Sequence, residues 1–271
     1  MMTGALASYR GGPAGFDELT APDGTIRPHW RDVARILSDM TPEAIAAAAR
    51  QAARMFDENG VNYNVFSDPA RADRLGEIDA VPMVIASSEW DALSRGIAQR
   101  AHVLNRMIGD LYGVQRLLSQ RVVRPEVLFA NPGFLRSCHG AAPAGGVFLH
   151  QYAADLVRDV DGRWVVVADR TQAPSGLGYA LENRIVTSRL FANAFRQVNV
   201  RRVGAYFDGL RESLLALAPA GRSNPRVVVL TPGSEDDEYF EHAYLARYLG
   251  FAMVECQDLT TTSGHHSNKS S

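Results

Sequence analysis

Apolar residues recur at helical spacing from 90 to 118, where Leu93, Ile97, Ala101, Leu104, Ile108 and Leu111 make one stripe. Arg95, Gln99, Arg106 and Asp110 lie off it, so the pattern predicts an amphipathic helix. His102 sits beside the stripe and is expected to pack as a structural residue. A second helix is predicted after Thr41-Pro42-Glu43, with Thr41 as cap and Pro42 in the first helical position. Ile45, Ala49, Ala52, Met55 and Phe56 carry its period, and Gly60 ends it. A third spans 205–217, with Phe207, Leu210, Leu214 and Leu217 on one side.

Short apolar runs predict strands at 61–66, 81–86, 122–129 (broken at Pro125) and 147–152. The stretch 155–184 organises the rest. It opens as a hairpin, with strands 156–160 and 164–168 around Asp161-Gly162. Asp-Gly favours a tight two-residue turn because both positions accept positive φ. The second strand ends in Asp169-Arg170-Thr171-Gln172; a Pro-Ser-Gly-x-Gly loop and a helix over 179–190 follow. A strand that delivers charge beside a loop of small residues suits phosphate and metal chemistry. An arginine-rich connection at 195–203 precedes the 205–217 helix. A Pro-, Gly- and Ser-rich boundary at 219–225 comes next. Beyond it, 227–230, 236–249 and 251–255 read as strand, helix and strand, half of a Rossmann-like unit. Its glycines fall short of a dinucleotide fingerprint, so no nicotinamide or flavin site is assigned.

Composition narrows the classes. The 271 residues are 46% hydrophobic, enough for a core, and the net charge of −2 gives no reason to expect nucleic acid. No apolar run reaches the length of a membrane span, and no signal pattern opens the chain. Cys138 and Cys256 make neither a disulfide framework nor a zinc site, so a cytoplasmic location is expected. The only lysine is Lys269, which leaves arginine to handle any phosphate. Residues 1–40 are read as an arm packed on the body or as a solvated loop. Residues 261–271 are expected to be a disordered tail, His265-His266 included.

Each candidate site has a functional and a structural reading. Asp169 and Arg170 are a phosphate, metal or substrate site, or ion pairs that close the hairpin. Ser175, Gly176 and Gly178 cradle an anion with backbone amides, or form a turn that needs small residues. Arg184 binds a carboxylate or phosphate with Glu182 holding it, or the two are a surface pair. Arg95, Arg100 and Arg106 are read as solvated or structural, and Glu241 and His242 as capping or packing. A serine hydrolase is set aside, because Ser175 lacks the Gly-x-Ser-x-Gly elbow.

Several blocks together resemble the circularly permuted ATP-grasp family over about residues 16–260. They are Asp23-Gly24 with Arg27-Pro28-His29-Trp30; Glu89-Trp90, Arg100, Leu104-Asn105 and Asp110-Leu111-Tyr112-Gly113; Asp169 to Gly176 with Gly178-Tyr179-Ala180-Leu181-Glu182-Asn183-Arg184; and Leu230-Thr231-Pro232-Gly233 with Phe240-Glu241-His242-Ala243-Tyr244-Leu245-Ala246. The similarity points to the glutathionylspermidine synthase-like, alpha-E-associated branch. It implies an α/β (α+β) fold, an ATP-grasp-like mixed-sheet domain followed by a Rossmann-like pre-ATP-grasp unit. The implied domains are an N-terminal arm and helix (1–60), part of the permuted ATP-grasp domain (61–218), an incomplete Rossmann-like unit (219–260) and the tail (261–271). The implied chemistry is ATP- and Mg2+-dependent ligation of a carboxylate to an amine through an acyl phosphate. Asp169, Arg170 and Arg184 would be catalytic, with Asp169 also a metal ligand; Ser175, Gly176 and Gly178 would bind cofactor. Permuted members end a strand in Glu-x-Asn, whose oxygens hold magnesium; the matching triplet is Ala168-Asp169-Arg170, in which neither Ala168 nor Arg170 offers an oxygen. The similarity fades near 258–260, so the chain is expected to be truncated and inactive alone. A non-catalytic scaffold on the same fold, paired with an alpha-E protein, and a homodimer are the other expectations.

Overall fold

The computed structural model describes residues 3–11, 15–61, 79–218, 224–262 and 265–268. The helices are α1 (Arg31–Ser38), α2 (Pro42–Glu58), α3 (Ser87–Leu111), α4 (Arg116–Ser119), α5 (Pro125–Phe129), α6 (Leu177–Leu190), α7 (Ala192–Gln197), α8 (Gly204–Leu215) and α9 (Tyr239–Leu249). The strands are β1 (Ala153–Arg158), β2 (Trp164–Arg170), β3 (Val228–Leu230), β4 (Ala252–Val254), β5 (Leu259–Thr262) and β6 (His265–Asn268). They form three two-stranded sheets among the described residues. The chain divides into two compact units, one from 1–13, 17–84 and 175–271, the other from 14–16 and 85–174.

The first unit holds the fully buried apolar residues. Leu6, Leu19, Trp30, Val33, Ala34 and Leu37 form one cluster, so the N-terminal arm is packed and not solvated. Asp17 shapes that arm by accepting the Leu19 and Thr20 amides, both at 2.8 Å, and the Thr20 hydroxyl at 2.6 Å. The α2 helix starts as its sequence dictates, with the Ala44 amide donating to Thr41 Oγ1 at 3.2 Å and Pro42 first. Its Ala52 and Phe56 meet Val61 and, from α6, Val186. A third cluster joins Leu181 of α6, Phe207 of α8, and Tyr244 and Leu249 of α9. The strands β3 and β4 pair in parallel, Val228 opposite Ala252 and Leu230 opposite Val254, with α9 as the connection.

The second unit is built on α3 and the β1–β2 hairpin. The α3 stripe is its least exposed face, yet no described residue of this unit is fully buried. β1 and β2 pair antiparallel from Ala153 opposite Arg170 to Arg158 opposite Trp164, with a bulge between Asp155 and Leu156. The turn is longer than the predicted two residues. The Gly162 amide donates to the Asp159 carbonyl at 3.0 Å, and only Gly162 takes positive φ, +81°. This is a turn closed by one left-handed residue. A Cβ on Gly162 would lie 2.3 Å from the Phe16 ring, so glycine is required twice over.

Other expectations are corrected. The 90–118 helix stops at Leu111; Gln115 is left-handed (φ +57°), and α4 restarts with Asp110 accepting the Arg116 and Leu117 amides. At 122–129 Pro125 begins α5 instead of breaking a strand, since its fixed φ suits a first helical residue. Residues 147–152 form no ladder, because the Phe148 and Leu149 amides donate to Asn105 Oδ1 at 2.7 and 2.9 Å. Residues 81–86 are extended without a strand partner, and Val81 and Val84 pack on the first cluster. The helix α7 occupies the start of the 195–203 connection. His102 is exposed. In the predicted tail, β5 and β6 pair antiparallel, Leu259 opposite Asn268. Most of the strand predicted at 61–66 lies outside the described residues.

Candidate functional site

Period-two alternation sends neighbouring side chains at the end of β2 to different partners. Arg170 reaches Asp155, with Nη2 to Oδ2 at 2.7 Å, an ion pair across the hairpin. Asp169 meets Arg100 of α3 in a two-pronged clamp, Nε to Oδ1 at 2.5 Å and Nη2 to Oδ2 at 2.6 Å. The Tyr152 hydroxyl also donates to Asp169 Oδ1, at 2.6 Å. These bonds, Arg100's first, hold the Asp169 carboxyl down to about 2. Burial, then the bond to Asp169, pushes the Tyr152 phenol up.

This arrangement does not suit a magnesium ion. Three of the acceptor positions of Asp169 are taken, and the remaining one lies beside a guanidinium whose charge opposes a cation. Ala168 has no ligand atom, and Arg170, a cation paired with Asp155, offers none either.

Toward the turn, Arg158 donates to Glu89 at 2.5 and 3.2 Å and to the Gly162 carbonyl at 2.9 Å. Its guanidinium lies over Trp164 at 4.1 Å and over Phe16 at 4.7 Å. Trp164 Nε1 donates to the same Glu89 at 3.1 Å. Between α3 and the hairpin lies a cavity of about 530 Å³, with Glu89 and Arg100 among its lining and Leu93, Ile97, Leu156 and Val166 as apolar wall.

The remaining candidates belong to the first unit. Gly176 and Gly178 open α6, and their amides face an internal anion. Gly176 donates to both oxygens of Glu241, at 2.8 and 2.6 Å, and Gly178 donates at 3.0 Å. Glu241 is only 2% exposed. Gly178 permits the approach, since a Cβ there would lie 3.1 Å from Glu241 Cγ. Ser175 is exposed beside this cap. Glu182 is not the partner of Arg184: two positions apart, they leave the helix on different sides. Glu182 is buried, taking the Asn59 amide at 2.6 Å and the Tyr244 hydroxyl at 2.9 Å. Arg184 is half-buried with its guanidinium 5.6 Å from the Phe195 ring centre, and burial lowers its pKa. Among the described residues it makes no ion pair.

Sequence reasoning did not single out Arg100, Tyr152, Glu89 or Arg158 as interacting groups. Arg100 falls on the apolar stripe itself, three positions after Ile97 and four before Leu104, so a cation on that face was the available signal, but nothing local names its partner on the hairpin. A donor cluster of Asp236, Glu238 and His242, with ligand atoms within 4.8 Å of one another, was also not anticipated. There His242 Nδ1 stands 3.1 Å from the buried Thr231 hydroxyl.

The chain is similar to proteins without an established role. It is 36% identical over 250 residues to the uncharacterized protein sll0335 of Synechocystis, covering 92% of this chain and 52% of that one. It is 35% identical over 269 residues to the uncharacterized protein Rv2567 of Mycobacterium tuberculosis, covering 96% of this chain and 30% of that one. For the uncharacterized protein ML0605 of Mycobacterium leprae the identity is 35% over 244 residues, 90% of this chain and 43% of that one. The chain thus spans about half or less of the length of these relatives. No helix among the described residues is long and apolar enough to cross a membrane. The helices and small sheets fit an α/β ATP-grasp-like domain, and the family profile matches residues 82–270: the chain belongs to the circularly permuted ATP-grasp type 2 family.

Proposed function

We propose that the chain is part of an ATP-dependent ligase-like enzyme that activates a carboxylate as an acyl phosphate and passes it to an amine. The family match over 82–270 carries this reading. ATP-grasp proteins generally bind ATP with magnesium, which would supply the phosphoryl group and neutralise its charge. Within the same reading, β3–α9–β4 is a Rossmann-like pre-ATP-grasp unit, and Arg184 is the anion-binding group. The branch is glutathionylspermidine synthase-like, with an alpha-E protein as partner and a cytoplasmic location. The relatives are about twice as long or longer, so turnover is assigned to the family-length protein, and these 271 residues alone are expected to form no ADP.

A second reading is a non-catalytic scaffold. It is favoured by the internal partners of two candidate elements: Arg100 on Asp169, and Glu241 on the Gly176 and Gly178 amides. Magnesium-dependent ADP formation separates the two. The family-length Synechocystis relative and this chain would each be assayed with panels of carboxylates and amines. Formation of ADP by the relative only when both substrates are present supports the ligase. No nucleotide turnover by the relative with any pair leaves the scaffold.

A further inference from the structure

The cavity beside α3 has a feature that internal packing does not explain. Gly96 lies in the interior of a 25-residue helix, where glycine is less favourable than alanine. A Cβ at Gly96 would meet no heavy atom within 4 Å, so no neighbour requires its absence. Its bare backbone instead widens the cavity, whose apolar wall includes Leu93, Ile97, Leu156, Trp164 and Val166. No described residue of this unit is fully buried, so that wall is only half covered by the chain itself.

The polar groups of the lining are arranged unequally. Glu89 is spent on Arg158 and Trp164. Arg100 is held by Asp169 through Nε and Nη2, while Nη1 stands outside this clamp on a side chain 45% exposed. A guanidinium fixed on one edge by an acid keeps its other donors aimed, which lowers the entropy lost when a second anion docks.

We propose that this cavity binds a monocarboxylate with an apolar body, the carboxylate accepting from Arg100 Nη1 and the body lying along the Gly96 backbone and the apolar wall. Its role as the acid substrate rests on the ligase reading above; the binding does not. Asp169 and Tyr152 then act as positioning residues for Arg100. Polyamines and strongly polar amino acids do not match this wall, because burying their charges there leaves them unpaired.

Calorimetric titration of the whole chain with octanoate, octanamide, acetate and spermidine tests the proposal. Octanoate is expected to bind at least about tenfold more tightly than octanamide, the usual worth of a hydrogen bond to a charged group. Acetate and spermidine are expected not to saturate. Arg100→Gln should erase the preference for octanoate, and Gly96→Leu, which fills the cavity, should weaken both eight-carbon ligands. Equal affinity of the wild type for octanoate and octanamide overturns the proposal, as does undiminished binding by Gly96→Leu. If Arg100→Gln does not fold, the wild-type comparison decides alone. Octanoate binding with no ADP formed by the family-length relative would remove the ligase reading and keep the site. ADP formation with polar acids, without octanoate binding, would do the reverse.

Discussion

Glu241 receives the Gly176 amide on both carboxylate oxygens, 2.8 Å to Oε1 and 2.6 Å to Oε2. The acid comes from α9 and the amide from the residue before α6, so one helix supplies the carboxylate that the N-terminus of another, packed against it, favours. The loop of small residues that looked ready for a phosphate is, in this arrangement, a contact between two helices of one core.

Replacing Glu241 should therefore damage folding. Glu241→Ala leaves the buried Gly178 amide and the part-buried Gly176 amide without their carboxylate acceptor and is expected to cost about 2–4 kcal/mol. Glu241→Gln keeps one acceptor oxygen and should cost less. Urea unfolding measures both, and an Ala variant with the wild-type midpoint would mean that the amides find another partner.

Tyr244 and Glu182 form a second buried contact. Burial first, then the bond to Glu182, raises the Tyr244 phenol above its ordinary value of 10. A phenol raised by folding adds stability below the unfolded value and loses it as pH climbs past 10. Tyr244→Phe should cost about 1–3 kcal/mol at neutral pH, since Glu182 keeps only Asn59. The variant should also unfold less steeply above pH 10; parallel alkaline curves for the two proteins would contradict this.

Asp169 works in the opposite direction. Its folded value of about 2 lies below the ordinary 3.8, so its contribution is present above pH 4 and lost as pH falls from 4 toward 2. The side chain is 27% exposed, and salt should weaken the effect. Asp169→Asn is expected to flatten the acid limb of the stability curve and to lower the Tyr152 phenol. Unfolding midpoints between pH 2 and 6 give the first, and ultraviolet titration the second. An unchanged acid limb would show the clamp to be energetically idle.

Arg184 should behave as a binding group. It has a ring contact but no ion pair among the described residues, so Arg184→Ala removes little that the fold needs. The expected outcome is a small change in melting and a larger loss of affinity for pyrophosphate, the probe anion. A variant that melts early yet binds pyrophosphate as before would make the residue structural.

Local chemistry was legible in the sequence and distant partnership was not. Thr41-Pro42, the stripe from Leu93 to Leu111 and the β3–α9–β4 alternation follow from nearest-neighbour physics, and the structure keeps them. The strand predicted at 147–152 failed because Asn105, 43 residues earlier, takes the Phe148 amide. Pro125 read as a break because apolar runs look alike in strands and short helices. At the site, the charge at the end of β2 was visible, but its partners were not: Arg100 is 69 residues from Asp169, and no periodicity links them. Glu241 reads as capping or packing and does cap, but the loop that it caps lies 65 residues away and is not legible locally. Glu182 reads as holding or pairing with Arg184, and its partners Asn59 and Tyr244 are likewise distant in sequence.

The bond from Asn59 to Glu182 crosses 123 positions of sequence, and the 85–174 segment of the second unit lies inside that interval. During synthesis, α2 emerges with Ala52 and Phe56 uncovered, and the helix that shelters them is not made until the intervening unit has left the ribosome. Folding of that insert would draw the two ends nearer and reduce the entropy cost of the closure, which grows with the length of free chain. Until then the nascent protein carries an unsatisfied apolar face. Exposed apolar surface of that kind is what makes folding intermediates prone to aggregate, whatever the finished surface looks like.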